Sequence, residues 1–138
     1  IGNMIFDEDL GVRAVIDWEG ASLASREKDI GHWLQLTHVY TVQFGLDLPE
    51  GFPDRAALLS RYEELSGRPL GDVHFFEVMS GIHSAIQATR ALSLMGKAGD
   101  QGRDEAAIVN NPFTRGLARL IGFEMPVSGG LDVLTGKR

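Results

Sequence analysis

Gly2-Asn3-Met4-Ile5-Phe6-Asp7-Glu8-Asp9-Leu10-Gly11-Val12-Arg13-Ala14-Val15-Ile16-Asp17-Trp18-Glu19 is the stretch on which the reading of this chain turns. Residues 3–6 and 12–18 are short apolar runs rich in β-branched and aromatic types. Between them lies an acidic segment ending in Gly11, a residue able to take positive φ. The pattern predicts a β-hairpin over residues 3–18. A calcium loop is the competing reading of the acidic segment, but the Gly and bidentate Glu of such a loop would fall at the wrong offsets, so a solvated turn is expected. An Asn entering the first strand and an Asp leaving the second lie side by side across such a hairpin. Their amide and carboxylate oxygens are hard donors suited to magnesium. Phosphoryl transfer from ATP needs that ion to bridge phosphate oxygens and offset their charge.

Downstream the periodicity becomes helical. Over about 27–44, Ile30, Trp33, Leu34, Thr37, Tyr40 and Phe44 recur at helical spacings. A second helix is expected over 53–66, with Pro53 at its first position, Leu58, Tyr62 and Leu65 on one face, and Gly67 as its stop. A third, over 72–95, carries Phe75, Met79, Ile82 and Ile86 on one stripe with Val78, Ala85 and Leu92 beside it, which implies burial on more than one side. Residues 96–103 read as a polar, Gly-rich break. Asn111 should cap a last helix over 111–122, begun by Pro112 and closed by Gly122. The expectation is an α+β, mostly helical domain over 1–124 with one hairpin and about four helices, followed by a loose tail over 125–138.

Composition narrows the function classes. The 138 residues are 43% hydrophobic and 23% charged, ordinary for a soluble globular chain. A net charge of −6 without a basic stripe argues against nucleic-acid binding. The absence of cysteine excludes disulfides and zinc–thiolate sites and fits a reducing cytoplasm. No apolar run reaches the ~20 residues that cross a bilayer. The histidines offer no zinc motif: His32 and His38 point to different helix faces, as do His74 and His83. Thr135-Gly136-Lys137 lacks the glycine spacing and following helix of a phosphate loop.

Asn3 and the segment Ile16-Asp17-Trp18-Glu19 together resemble the motifs of the aminoglycoside-phosphotransferase-like kinases. That family carries His-Gly-Asp-x-x-x-x-Asn followed by Ile-Asp-Trp/Phe-Glu. Arg61-Tyr62-Glu63-Glu64-Leu65-Ser66-Gly67-Arg68 and the long helix through Phe76, Ile82 and Ile86 to Arg90 look like the branch found fused to acyl-CoA dehydrogenases. The resemblance spans about residues 1–122. It implies the C-terminal lobe of a protein-kinase-like fold, with Asn3 and Asp17 holding Mg²⁺ for ATP. Trp18 and Glu19 would pack and shape the site. Asp29, in Lys28-Asp29-Ile30, matches a helix-entry Asp that braces the catalytic loop, although Ala24-Ser25-Arg26 replaces the usual Gly-Asp-Pro before it. Trp33, Tyr40, Phe76 and His83 are the candidates for the acceptor side.

The family's catalytic Asp stands five positions before the metal-binding Asn, ahead of Ile1, and Asp7 and Asp9 lie at the far end of the hairpin. The expectation is therefore the C-terminal part of a small-molecule kinase acting on a hydroxyl acceptor, inactive by itself. The alternative is a non-catalytic helical binding module, a pseudo-kinase remnant. The apolar stripe on the third helix further implies a partner: a second copy of the chain, or a retained upstream part.

Overall fold

The computed structural model describes residues 3–98 and 108–125. The chain is α+β and mostly helical: a two-stranded antiparallel hairpin followed by four helices. Strands β1 (Met4–Phe6) and β2 (Val12–Val15) pair Met4 with Val15, Ile5 with Ala14 and Phe6 with Val12. Arg13 is left over as a bulge, and its guanidinium reaches Asp7 at 2.8 Å. Bulges of this kind sharpen the local twist of a ribbon.

The acidic turn is more than a solvated connection. Asp7 Oδ1 accepts from the backbone N–H groups of Asp9 (3.1 Å) and Gly11 (2.6 Å), so one carboxylate organises the whole turn. The positive φ falls on Leu10 (62°) and not on Gly11. Gly11 is needed for a different reason: a Cβ there would stand 2.9 Å from Asp7 Oδ2.

Helix α1 (Glu27–His38) runs on through a wider π-turn, Val39–Gln43. Thr37 and Thr41 donate their hydroxyls to the carbonyls of Trp33 (2.8 Å) and Thr37 (2.9 Å), a back-bonding that bends helices. The turn closes when Phe44 N–H donates to Val39 O and Leu46 N–H to Tyr40 O, with Gly45 at φ 67°. Helix α2 (Arg55–Ser66) starts one residue later than Pro53 suggests, because Asp54 is the true cap and accepts from Ala57 N–H at 2.8 Å. Gly67, at φ 64°, ends it. Leu58 and Tyr62 are half-buried, whereas Leu65 is exposed, so the expected face narrows to two residues.

Helix α3 (Val73–Ala98) extends beyond the expected end at 95 and takes in the start of the predicted Gly-rich break. The rest of that break, and the tail from 126 onward, lie outside the described residues, as does Thr135-Gly136-Lys137. Helix α4 (Pro112–Leu120) begins at a capping box in which Asn111 Oδ1 accepts from Phe113 and Thr114 N–H, while Thr114 Oγ1 accepts from Asn111 N–H. Asn111 is fully buried and its Nδ2 donates to Thr89 Oγ1 on α3.

The helices are joined at glycines. A Cβ on Gly31 would lie 2.8 Å from the backbone of Phe76 and Glu77, so α1 and α3 meet main chain to main chain. At Gly116 a Cβ would strike Val39 Cγ2 at 2.7 Å, where α4 rests on the π-turn. At Gly81 it would press on Leu117 at 3.1 Å. The large residues expected to be buried on α3 lie outside these seams: Phe75, Met79, Ile82 and Ile86 are 53, 48, 39 and 63% exposed. The face α3 buries carries Val73, Glu77, Gly81, Ala85 and Leu92 instead. The hairpin is also largely uncovered, every residue of both strands being exposed.

Substituting Gly31→Ala should lower stability by about 1–3 kcal/mol, the usual cost of forcing a methyl group into a closed seam. Gly20, with nothing within 4 Å of its would-be Cβ, should tolerate Ala with a change below about 0.5 kcal/mol. Urea denaturation of the two variants checks the contrast.

Candidate metal-binding hairpin

Asn3 and Asp17 meet at the open end of the hairpin, where Ile16 N–H donates to Asn3 O at 2.9 Å and closes the ladder. Immediately afterwards the backbone of Asp17 enters the left-handed region (φ 66°, ψ 52°), and residues Trp18–Gly20 form a single 3₁₀ turn. Asp is among the few non-glycine types that adopt this conformation readily. Asn3 Nδ2 donates to Asp17 Oδ2 at 3.0 Å. Trp18 Nε1 donates to Val15 O at 2.7 Å, which pins the indole to the hairpin it follows; the ring itself is 66% exposed. Glu19 is exposed.

The separation suits a shared divalent ion. Two oxygens bound at ~2.1 Å in neighbouring corners of an octahedron stand ~3.0 Å apart. A half-turn of the Asn3 amide exchanges its N and O positions, which ordinary structures assign from hydrogen bonding alone. Asn3 Oδ1 would then take the place of Nδ2 beside Asp17. Among the described residues no group of three or more His, Cys, Asp or Glu side chains could hold a metal. A two-ligand site fits magnesium nevertheless, since that ion retains waters and takes further oxygens from phosphate. The donor set therefore fits Mg²⁺. The ATP that would share the ion finds no further partner in the hairpin beyond these two side chains.

Asp29 is exposed in the first turn of α1, where its charge favours the helix dipole. The buried carboxylate at that corner is Glu27, which sequence reasoning missed. Glu27 accepts from Ser25 Oγ and from Gly71 N–H at 2.9 Å, tying the start of α1 to the loop before α3. Ser25, in the segment that departs from the family's Gly-Asp-Pro, is thus half of a working contact. The Ser25 hydroxyl foremost, and then the Gly71 amide, hold the Glu27 carboxyl down to about 2 from 4.5.

The four acceptor-side candidates do not share one surface. Trp33 lines a cleft of about 580 Å³ and stacks on Phe52 with ring centroids 5.4 Å apart. Tyr40 is exposed and tilts against Phe44. Phe76 is half-buried at the Gly31 seam, edge-on to Phe75. His83 is exposed beside Gln87. The cleft also holds Arg55 and Glu77, whose ion pair the sequence reading did not single out. One signal was present: Glu77 is a lone acid inside the apolar run Phe75-Phe76-Glu77-Val78-Met79.

No family model matches the chain, and no solved structure matches it. Among the described residues, no helix is long and apolar enough to cross a membrane.

Because the Glu27 carboxyl is depressed in the folded chain, its stabilisation is complete above about pH 4.5 and is lost as pH falls towards 2. Glu27→Gln should therefore melt below the parent at pH 7. The gap between the two should close across that interval in a series of thermal melts. A gap independent of pH would mean that shape, and not charge, gives Glu27 its role.

Proposed function

We propose that this chain is the C-terminal part of an ATP-dependent phosphotransferase acting on a small-molecule hydroxyl, and that Asn3 and Asp17 are its magnesium ligands. The reading rests on one observation: the 3.0 Å pairing of these two side chains at the hairpin's end, with Asp17 turned back by a left-handed backbone. The resemblance of Asn3 and Ile16–Glu19 to the kinase motifs supports it from the sequence side.

In this reading Asp17 supplies a charged oxygen and Asn3 a neutral one, and the hairpin keeps both on the same side of the ion. The bound metal would supply charge neutralisation at the phosphoryl group in transfer. Trp18, anchored through Val15 O, keeps the strand exit from relaxing and so fixes the Asp17 carboxylate. The general base and the groups gripping the nucleotide come from outside these 138 residues, so the chain by itself turns over no acceptor. Positioning and electrostatics are nearly the whole of phosphoryl-transfer catalysis, and metal ligands without the rest of the cleft do not suffice.

Two measurements test the proposal. Mn²⁺ titrated into the chain should broaden the NMR signals of Asn3 and Asp17 with an affinity on the order of millimolar, as expected for two ligands plus water, and Asp17→Ala should abolish the effect. In the longer protein, Asp17→Ala should lower ATP-dependent phosphorylation of its alcohol acceptor by about a thousandfold, the scale of losing one centre of transition-state charge stabilisation. A folded chain whose Asn3 and Asp17 signals ignore Mn²⁺ would return the hairpin to a carboxylate-capped turn and favour the non-catalytic binding module.

A further inference from the structure

The cleft beside Trp33 is built separately from the hairpin, and none of its lining residues comes from residues 3–20. It lies between α1, the loop leading into α2, and the first turns of α2 and α3, with Leu120 of α4 at one side. Its volume of about 580 Å³ falls within the ~300–1,000 Å³ of small-molecule sites. One part of the wall is apolar: Leu34 from α1, Leu48 and Phe52 from the loop, and the indole of Trp33 stacked on Phe52 with the ring planes only 10° apart. Loop residues 46–50 hang between Gly45 and Gly51, both at positive φ.

The opposite end is polar but already balanced. Glu77 is 3% exposed, and both of its oxygens are taken by Arg55, through Nη1 and, at 2.7 Å, Nη2. Asp54 is committed to the α2 cap, accepting from Ala57 N–H. A ligand cation would have to displace Arg55 from Glu77, and a ligand anion would have to compete with Glu77 for Arg55. Either exchange strands a buried charge. One polar atom of the lining residues is unused: His38 Nε2 is buried and has no hydrogen-bond partner. Burial, followed by the nearby charge of Arg119, holds that imidazole below its usual range and so neutral at pH 7. An unmade buried hydrogen bond is a standing cost that a suitable partner removes. A hydroxyl is the general partner for a neutral imidazole nitrogen, since it donates to one tautomer and accepts from the other.

We infer that this cleft is a binding site for a neutral amphipathic small molecule, an apolar body of ~10–20 non-hydrogen atoms bearing a hydroxyl that pairs with His38. The apolar body lies against Leu34, Leu48 and the Trp33–Phe52 stack. The site needs no contribution from Asn3 or Asp17 and stands whether or not the chain takes part in phosphoryl transfer.

The experiment is an NMR titration of the ¹⁵N-labelled 138-residue chain with three probes of one shape: 4-phenylbutan-1-ol, 4-phenylbutylamine and 4-phenylbutanoate. The alcohol should shift the amide signals of Trp33, His38 and Phe52 saturably, with a Kd of about 1 mM, as small fragments do. It should bind about tenfold more tightly than either charged analogue. His38→Phe keeps the volume and should weaken the alcohol about fivefold while leaving butylbenzene unaffected, since one neutral hydrogen bond is lost. Phe52→Ala, in a loop whose change leaves the helical seams intact, should weaken the alcohol and butylbenzene together. Absence of saturable shifts at these residues in the parent chain overturns the site without recourse to any variant. Equal binding of the amine or the acid overturns the neutral class. Alcohol binding that His38→Phe leaves unchanged overturns the pairing with the imidazole.

Discussion

The close approach of α1 and α3 at Gly31 is the constraint on which the helical body depends. At that point the main chain of α3 occupies the space a side chain would need. Gly81 and Gly116 repeat the arrangement where α3 and the π-turn receive α4. Close seams of this kind gain their stability from dense contact over short distances, not from large side chains. They also dictate which polar groups are shut in. Gln35, fully buried, faces Ser80 and Ser84 across the same α1–α3 seam, and its Oε1 accepts from their hydroxyls at 3.5 and 3.3 Å. His32, on the exposed rim, lies 2.6 Å through Nδ1 from Ser80 Oγ. The polar contacts thus register the two helices lengthwise, while the glycine sets their separation.

That constraint explains what the sequence reading reached and what it did not. The hairpin and the four helices follow from apolar period, caps and glycines, all of them local signals, and the caps at Asp54 and Asn111 are written within three or four residues. Which face of α3 turns inward is not local. Ranking side chains by size selects Phe75, Met79, Ile82 and Ile86, yet the seam selects the row containing Gly81 and Ala85 because only small residues let the neighbouring backbones approach. The same blindness applies to the turn: Gly11 was read for its freedom in φ, whereas its missing side chain is what leaves room for the Asp7 carboxylate.

The site divides in the same way. Asn3 and Asp17 were legible because a hairpin converts a fixed sequence spacing into a contact. Glu27 with Gly71, and Arg55 with Glu77, were not legible, being pairs 44 and 22 positions apart whose meeting depends on how α1, α2 and α3 stack. The acceptor-side candidates failed as a set for a related reason. Tyr40 and His83 are aromatic or polar residues at plausible helical positions, but helical position says nothing of which surface the neighbouring helix leaves open.

The two halves of the chain are held in different ways, and this bears on the proposed chemistry. The helical body has its own seams, whereas the hairpin's order comes from its ladder, the Asp7 turn and the Trp18 anchor. Met4, Ile5, Phe6, Val12, Val15 and Ile16 all remain exposed. Each such side chain gains ~1.5–3 kcal/mol when fully buried, so a surface closing over the hairpin would add stability comparable with that of a small domain, ~5–15 kcal/mol. A phosphoryl-transfer site requires its metal ligands within a fraction of an ångström of their working positions. An isolated two-stranded ribbon is marginal in water and does not hold that tolerance. In the proposed phosphotransferase the cover over these apolar residues would therefore do two things at once: bury the ribbon, and fix Asn3 and Asp17 rigidly enough for the ion they share to meet the phosphate in one geometry.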